Sequence, residues 1–310
     1  MSEPTAPPVL PLRPARRQAL RHHLLREAQR PARRSRRRLL VLAPAAVLAA
    51  AVTAGAIAQA WAPDSAPLVV TVAQGDRGGA ALLLDQVAAA AEAGPAPSSG
   101  EGGYVYVKSR AAYAELGGGP ARLQPMYTRE IWIPRYERGD GLVRQPFSTW
   151  PFIGPVVSRR TLPDMTPNAE IVDLPSDPDQ LLAKLYRERD RRGMGDSGDG
   201  AAFTAIGDIL RESLMPPRTS AALYRAAAKI PGVEVVRGVT DAVGRPGIAV
   251  AHTDLRRRDE WIFDERTLEY LGERSYLVTA TEVGPAGTVL GTMAVLQRAV
   301  VPQVGQRPRT

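Results

Sequence analysis

The longest apolar stretch of the chain runs from Leu39 to Ala60 and contains 22 residues without a charge. A helix of this length rises about 33 Å at 1.5 Å per residue, which matches a bilayer hydrocarbon core of about 30 Å. Most of its side chains are alanine, leucine and valine, so insertion into a bilayer is favourable. The pattern predicts a transmembrane helix over residues 39–61.

After this run, apolar residues recur at the spacings of amphipathic helices and strands, and this pattern predicts a separate domain over residues 78–302. Residues 62–77 carry prolines and small polar residues without periodicity, so we expect a linker there. Apolar residues recur at helical spacing in four segments, namely 80–92, 181–186 after an N-cap at 176–178, 201–215 and 219–230. Runs of β-branched and aromatic residues predict strands at 103–110, 127–136, 142–145, 233–239, 248–253, 260–263, 270–279 and 289–300.

Turn residues and prolines separate these elements. Six prolines lie within residues 146–175, which predicts a long irregular crossing. The sequence Asp264-Glu265-Arg266-Thr267 predicts a hairpin turn, and residues 303–310 are expected to be disordered. The order of the elements indicates an α+β domain in which the later strands form an antiparallel meander.

Charge is concentrated in the first 38 residues. They hold eleven arginines and two glutamates, a net charge of +9, so the rest of the chain must sum to −1 given +8 for the whole. A domain of near-zero charge does not attract a phosphate backbone, and nucleic acid is therefore not an expected partner. A basic block beside an apolar span marks the cytoplasmic side. We expect membrane lipid as a partner, a cytoplasmic N-terminus, an extracellular C-terminal domain, and a membrane flank formed by Arg33, Arg34, Arg36, Arg37 and Arg38.

An export signal is the alternative interpretation of the same region. Ser35–Leu40 resembles a twin-arginine signal, and Ala58-Gln59-Ala60 fits the small-x-small pattern of a cleavage site. Cleavage near Ala60 would release a soluble, secreted protein or hydrolase. The uncharged run exceeds the 7 to 15 residues expected of the apolar core of a signal peptide, which favours an anchor.

Few residues offer catalytic chemistry. The chain has no cysteine, which removes thiol catalysis and cysteine-bound metals. Gly195–Gly200 resembles the nucleophile loop of trypsin-like serine proteases, but His252 follows Ser197 instead of preceding it. The acidic pair Asp259 and Glu260 is the other hydrolase hypothesis. We expect no catalytic residue, no metal and no cofactor, and we interpret His252 as a strand histidine with an ordinary polar partner.

Several motifs carry a resemblance that covers nearly the whole chain. Beside the basic tail and the alanine-rich span, they are Arg129–Ile133, Leu174–Pro178, Leu223–Ala226, Ile230–Val233, Gly244–Gly247 and Trp261–Asp264. In this order they resemble a family of uncharacterised single-pass membrane proteins of actinobacteria, often encoded beside extracytoplasmic-function sigma factors. The resemblance implies an external domain similar to lipoprotein carriers and periplasmic sigma-regulator sensors, in which a curved, half-barrel-like antiparallel sheet wraps helices.

The preferred functional hypothesis is a membrane-anchored, non-enzymatic extracytoplasmic binding or sensor domain. Its partner is expected to be an apolar, lipid-like ligand, an envelope component or a protein, with a link to sigma-factor signalling. If the sheet has a ligand pocket, its expected lining is aromatic and consists of Tyr104, Tyr106, Trp132 and Trp261.

Overall fold

The computed structural model describes residues 68–96, 103–115, 119–136, 139–149, 153–165, 168, 174–192 and 198–309. All of them belong to the compact unit formed by residues 59–310. Within these ranges, no helix has the length and apolar character needed to cross a membrane. The apolar run at residues 39–61 and the arginine flank before it lie outside the described residues.

Among the four helices whose bounds the described residues give, two begin at residues that local chemistry explains. Asp177 caps the second helix, because its Oδ1 accepts the backbone N–H of Gln180 at 2.8 Å and Pro178 occupies the first turn. The fourth helix also has a proline, Pro217, in its first turn, but it has no side-chain cap. The helices are α1 (Ala80–Ala93), α2 (Pro178–Arg192), α3 (Gly198–Glu212) and α4 (Pro217–Ala227).

The strands form one open, curved sheet. They are β1 (Tyr104–Glu115), β2 (Arg122–Leu123), β3 (Tyr127–Pro134), β4 (Gly139–Thr149), β5 (Ile153–Met165), β6 (Val233–Thr240), β7 (Pro246–Asp254), β8 (Arg257–Phe263), β9 (Tyr270–Leu277) and β10 (Val289–Val301). Their order across the sheet is β5-β4-β3-β1-β10-β9-β8-β7-β6, with β2 beside β1. Every pairing is antiparallel. The fold is therefore α+β, as the element order predicts.

Two antiparallel meanders meet at the centre of this sheet. The first half consists of β1 to β5 and the second of β6 to β10, and they join because β1 pairs with β10. At this junction Tyr106 lies opposite Trp132 on β3 and Ala299 on β10. Side chains alternate between the two faces along each strand, so this register decides which residues share a face.

All four helices pack on one side of the sheet, here called the helix face. The core between helices and sheet includes Leu84, Phe203, Leu223, Val250 and Trp261, each no more than 2% exposed. Trp261 stacks on Phe203 of α3, with ring centroids 3.8 Å apart. Gly207 makes this contact possible, because a Cβ there would meet the Trp261 Nε1 at 2.7 Å.

The other side of the sheet, here called the back face, carries two smaller apolar clusters. One lies in the second half and includes Val236, Ile262 and Leu271. The other lies in the first half at the junction of the meanders, and it consists of Tyr106, Trp132, Leu142 and Val301 with Tyr104 packed against them. The two halves of the back face therefore have separate hydrophobic centres.

The predicted irregular crossing over residues 146–175 was wrong for its first part. Residues up to 165 instead extend β4 and form β5, and the two strands pair from Gly139 to Met165. Proline lacks an N–H group and is tolerated where no partner strand needs one. Pro155 and Pro163 lie on β5, the edge strand, and Pro146 lies beyond the residues of β4 that pair with β3.

The segments before and after the sheet are also more structured than predicted. Within the predicted linker, residues 68–77 contact the sheet, because Val69 pairs with Thr288 and Asp76 pairs with Val235. The segment 303–309, predicted to be disordered, contacts β3 through Gln306 and Arg307. These contacts use backbone groups and ion pairs, which leave no hydrophobic periodicity in the sequence.

Candidate functional site

The candidate site lies on the back face and is centred on Glu130 of β3. Glu130 lies opposite Lys108 on β1 and Arg144 on β4, at the place where the aromatic cluster of the first half ends. The residue is 3% exposed. A buried carboxylate is costly unless it is paired and hydrogen-bonded, so its partners determine what the site can do.

Both carboxylate oxygens of Glu130 have charged or hydroxyl partners. The Tyr106 hydroxyl donates to Oε1 at 2.7 Å, and Arg144 Nη1 donates to Oε2 at 3.4 Å. Arg307 forms a fork, with its Nε on Oε1 and its Nη2 on Oε2, both at 2.7 Å. Bidentate arginine–carboxylate pairs of this kind are among the stronger hydrogen-bonded contacts in proteins.

Trp132 adds a second contact to the same segment. Its Nε1 donates to the backbone carbonyl of Gln306 at 2.5 Å, and its ring lies 5.1 Å from the ring of Tyr106. The Arg144 guanidinium lies over the Trp132 ring at 5.3 Å. The sheet therefore holds both the side chain of Arg307 and the peptide group before it. These residues, Tyr106, Glu130, Trp132 and Arg144, are called the Glu130 site below.

Electrostatics keep the Glu130 carboxylate ionised. Burial would raise the pKa of Glu130, but hydrogen bonds from Arg307 and Tyr106 and the charge of Arg144 outweigh burial and hold this pKa below its usual value. Burial, and then the bond to Glu130, raise the pKa of Tyr106 well above its usual value. A carboxylate that stays ionised and a tyrosine that stays protonated suit the binding of a cation better than proton transfer at neutral pH.

Three of the four aromatic residues expected to line a pocket lie together in the aromatic cluster beside Glu130. Tyr104, Tyr106 and Trp132 belong to one cluster on the back face. Trp261 lies on the helix face against Phe203, so the structure does not bring it to the others. The separation follows from the register, since Trp261 lies opposite Glu273 and Val250, which also point to the helix face.

A second buried glutamate, Glu260 on β8, has a similar set of partners in the other half of the back face. The Tyr276 hydroxyl donates to its Oε1 at 2.5 Å, and Arg274 donates to its Oε2 from Nε at 3.0 Å and Nη2 at 2.5 Å. The side chain of Glu260 is 0% exposed and that of Arg274 is 14% exposed. Both partners come from β9, the neighbouring strand.

A third ionic group, the α3 cluster, joins the end of α3 to the sheet on the helix face. Arg211 contacts Glu273 and Asp208, both at 2.7 Å, and Arg129 contacts Glu212 at 2.9 Å. Burial raises the pKa of Glu273 despite the neighbouring Arg211. For Glu212, the opposing charges of Arg129 and Arg211 outweigh burial and lower the pKa. These contacts fix the position of α3 on the strands.

Within the described residues, the side chains named in the two hydrolase hypotheses do not converge on one catalytic arrangement. Ser197 lies outside them. His252 contacts the Pro231 carbonyl through Nε2 at 3.1 Å and stacks near Phe203, as expected for a strand histidine with a polar partner. Asp259 and Glu260 are consecutive on β8, so they point to opposite faces. Across the described ranges, no three histidine, cysteine or acidic residues group as metal ligands.

Sequence reasoning missed the charged residues of the site. Glu130 and Arg307 are separated by 177 positions, and no local pattern connects them. Arg258 and Glu260 are 8% and 0% exposed, although a run of charged residues such as 256–260 is typical of a solvated turn. A usable signal existed in β1 and β3, because Lys108 directly follows the apolar and aromatic run YVYV, and Glu130 directly precedes the run IWIP.

Comparison with known proteins does not assign this site to a known family. A scan against protein-family models and a search of curated proteins both found no match.

Proposed function

We propose that the chain is a membrane-anchored protein with a cytoplasmic N-terminus and an extracytoplasmic α+β domain that binds a partner and catalyses no reaction. The proposal treats the curved sheet as a half-barrel-like platform, as in the lipoprotein-carrier and sensor domains that the sequence resembles. Its anchor is the uncharged run from Leu39 to Ala60 behind the arginine flank.

The observation that carries the binding part of the proposal is the Glu130 site. A carboxylate that is 3% exposed is held there by an arginine from a segment outside the sheet. The pKa of Glu130 is lowered, so the site offers a fixed negative charge and not a proton donor. A fixed charge beside an aromatic surface is an arrangement suited to recognition.

Protease treatment of intact cells tests the topology. If the proposal is correct, full-length protein fractionates with the membrane, external protease digests the domain, and the arginine-rich tail remains protected. Full-length protein dissolved in the cytosol would contradict the proposal. A shortened chain in the medium that begins after Ala60 would support the secreted alternative instead.

A matched pair of arginine substitutions separates the anchor from the export signal. Replacing Arg36 and Arg37 by lysine keeps the positive flank but removes a twin-arginine signal. The anchored protein should insert unchanged, whereas a twin-arginine substrate should no longer leave the cytoplasm.

A further inference from the structure

We propose that the Glu130 site recognises an arginine within an extended peptide, and that residues 303–309 of the chain occupy it as an internal ligand. The partner is a protein segment that carries an arginine and offers the carbonyl of the preceding residue. The inference builds on the binding function proposed above and names the chemistry of its ligand.

The guanidinium contact selects arginine over lysine. Arg307 uses two different nitrogens, Nε and Nη2, on the two oxygens of Glu130, each at 2.7 Å. This parallel geometry matches the planar fork of a guanidinium, and the compact ammonium of lysine cannot reproduce it. The chemistry of the ligand is therefore more specific than positive charge.

Trp132 contacts a backbone group of the segment 303–309 and none of its side chains by this hydrogen bond. Its Nε1 donates to the carbonyl of Gln306, the residue directly before Arg307. A carbonyl is present at every residue, so this contact requires a correctly placed peptide group. It does not depend on the side chain of the residue before the arginine. The site fixes an arginine and the peptide bond before it at the same time.

The sheet supplies the complete receptor without the segment that fills it. Tyr106 belongs to β1, Glu130 and Trp132 to β3, and Arg144 to β4, all within the paired meander of the first half. Release of Arg307 leaves Glu130 in contact with Tyr106 and Arg144. The site can therefore lose its ligand and keep part of its hydrogen bonding.

The bound segment is accessible to exchange. The Arg307 side chain is 61% exposed although the Glu130 side chain it contacts is 4% exposed. Val304 is also 40% exposed. A competing arginine can approach from solvent as the internal one leaves, without any opening of the sheet.

Peptide binding to full-length variants tests the inference. The probe is a fluorescein-labelled peptide with the sequence of residues 303–309, followed by fluorescence anisotropy in detergent. Arg307→Ala empties the guanidinium position, and Arg307→Glu repels the internal segment from Glu130. Both variants should bind the peptide saturably. The wild-type chain should bind little at about 10 µM peptide, because a tethered competitor acts at an effective concentration of about 1 mM.

Matched controls separate recognition from general charge attraction. Lysine at the peptide position of Arg307, or Glu130→Gln added to Arg307→Ala, should weaken binding by about tenfold or more, because charged hydrogen bonds are lost. Equal binding of the arginine and lysine peptides would overturn the inference. So would absence of binding to both emptied variants when circular dichroism shows that they are folded. Neither result changes the topology measured on intact cells, which tests the proposed function separately.

Discussion

Glu130 and Glu260 occupy the two halves of one sheet face and have similar partners, but they differ in the origin of the arginine that contacts each of them through two nitrogens. Each glutamate accepts a tyrosine hydroxyl and a two-nitrogen arginine contact. Arg274 comes from the neighbouring strand, whereas Arg307 comes from a segment beyond the last strand. The first arrangement is internal to the sheet, and the second depends on a separate piece of chain.

The two arginine side chains also differ in how much of their surface is exposed to solvent. Arg274 is 14% exposed and Arg307 is 61% exposed. Loss of a buried partner leaves an uncompensated charge in a region of low dielectric, but loss of an exposed partner allows water to replace it. The Glu260–Arg274 pair therefore stabilises the sheet itself. The Glu130–Arg307 pair is suited to the exchange of Arg307 for a competing arginine.

The largest expected effect is on the Glu260 side. Arg274→Ala should lower the free energy of unfolding by about 3 kcal/mol, because it removes one partner of a buried ion pair. Chemical denaturation monitored by tryptophan fluorescence measures this change. Arg77→Ala is the matched control, since Arg77 pairs with Glu234 while 79% exposed, and it should cost less than about 1 kcal/mol. Equal losses for the two variants would remove the distinction between internal and exposed pairs.

The next effect concerns the centre of the exchangeable site. Glu130→Gln keeps an oxygen acceptor for Tyr106 but removes the charge that holds Arg307. We expect a loss of about 1–2 kcal/mol in the free energy of unfolding. Faster amide hydrogen exchange should appear within residues 303–309. Unchanged exchange in that segment would show that the Glu130 contact does not hold it.

Acid should release the same segment in the wild-type chain. The pKa of Glu130 is lowered in the folded protein, and an unfolded glutamate has a pKa of about 4.3. The pair therefore stabilises the fold above about pH 4.3, and this contribution is lost as the pH falls through the lowered folded value. The indole N–H signal of Trp132, followed by NMR, should shift in that acidic range. Glu130→Gln should show no such transition.

The smallest effect tests the shape of the arginine. Arg307→Lys keeps the positive charge but replaces the fork with a single ammonium, so we expect a loss of about 0.5 kcal/mol or less in overall stability. The exchange rate of residues 303–309 should nevertheless increase relative to the wild-type chain. Identical exchange in both chains would mean that charge alone holds the segment.

Local patterns predicted most of the fold. The strand runs of the second half agree with β6 to β10 within about three residues, because alternation and turn chemistry are encoded nearby in the sequence. Asp264 illustrates this, since its Oδ1 accepts the N–H groups of Arg266 and Thr267 in the predicted turn. The β4–β5 pair was missed because its prolines argue against strands, and only the sheet order shows why they are tolerated.

The candidate site was predicted in part. Tyr106 and Trp132 stand out because aromatic residues in strands are easily recognised, and the structure brings them together. Their connection to Glu130 and Arg307 depends on pairing between distant parts of the chain. The face on which Trp261 lies relative to Tyr106 depends on the pairing of β1 with β10, which is equally non-local. Composition and spacing carry no information on these contacts.

Amide hydrogen exchange on the Arg307→Ala variant tests the central difference between the two glutamates most directly. If the Glu130 site holds an exchangeable segment, exchange should accelerate in residues 303–309 while β8 and β9 around Glu260 keep the protection of the wild-type chain. Faster exchange across the whole sheet, or no change in residues 303–309, would contradict this account.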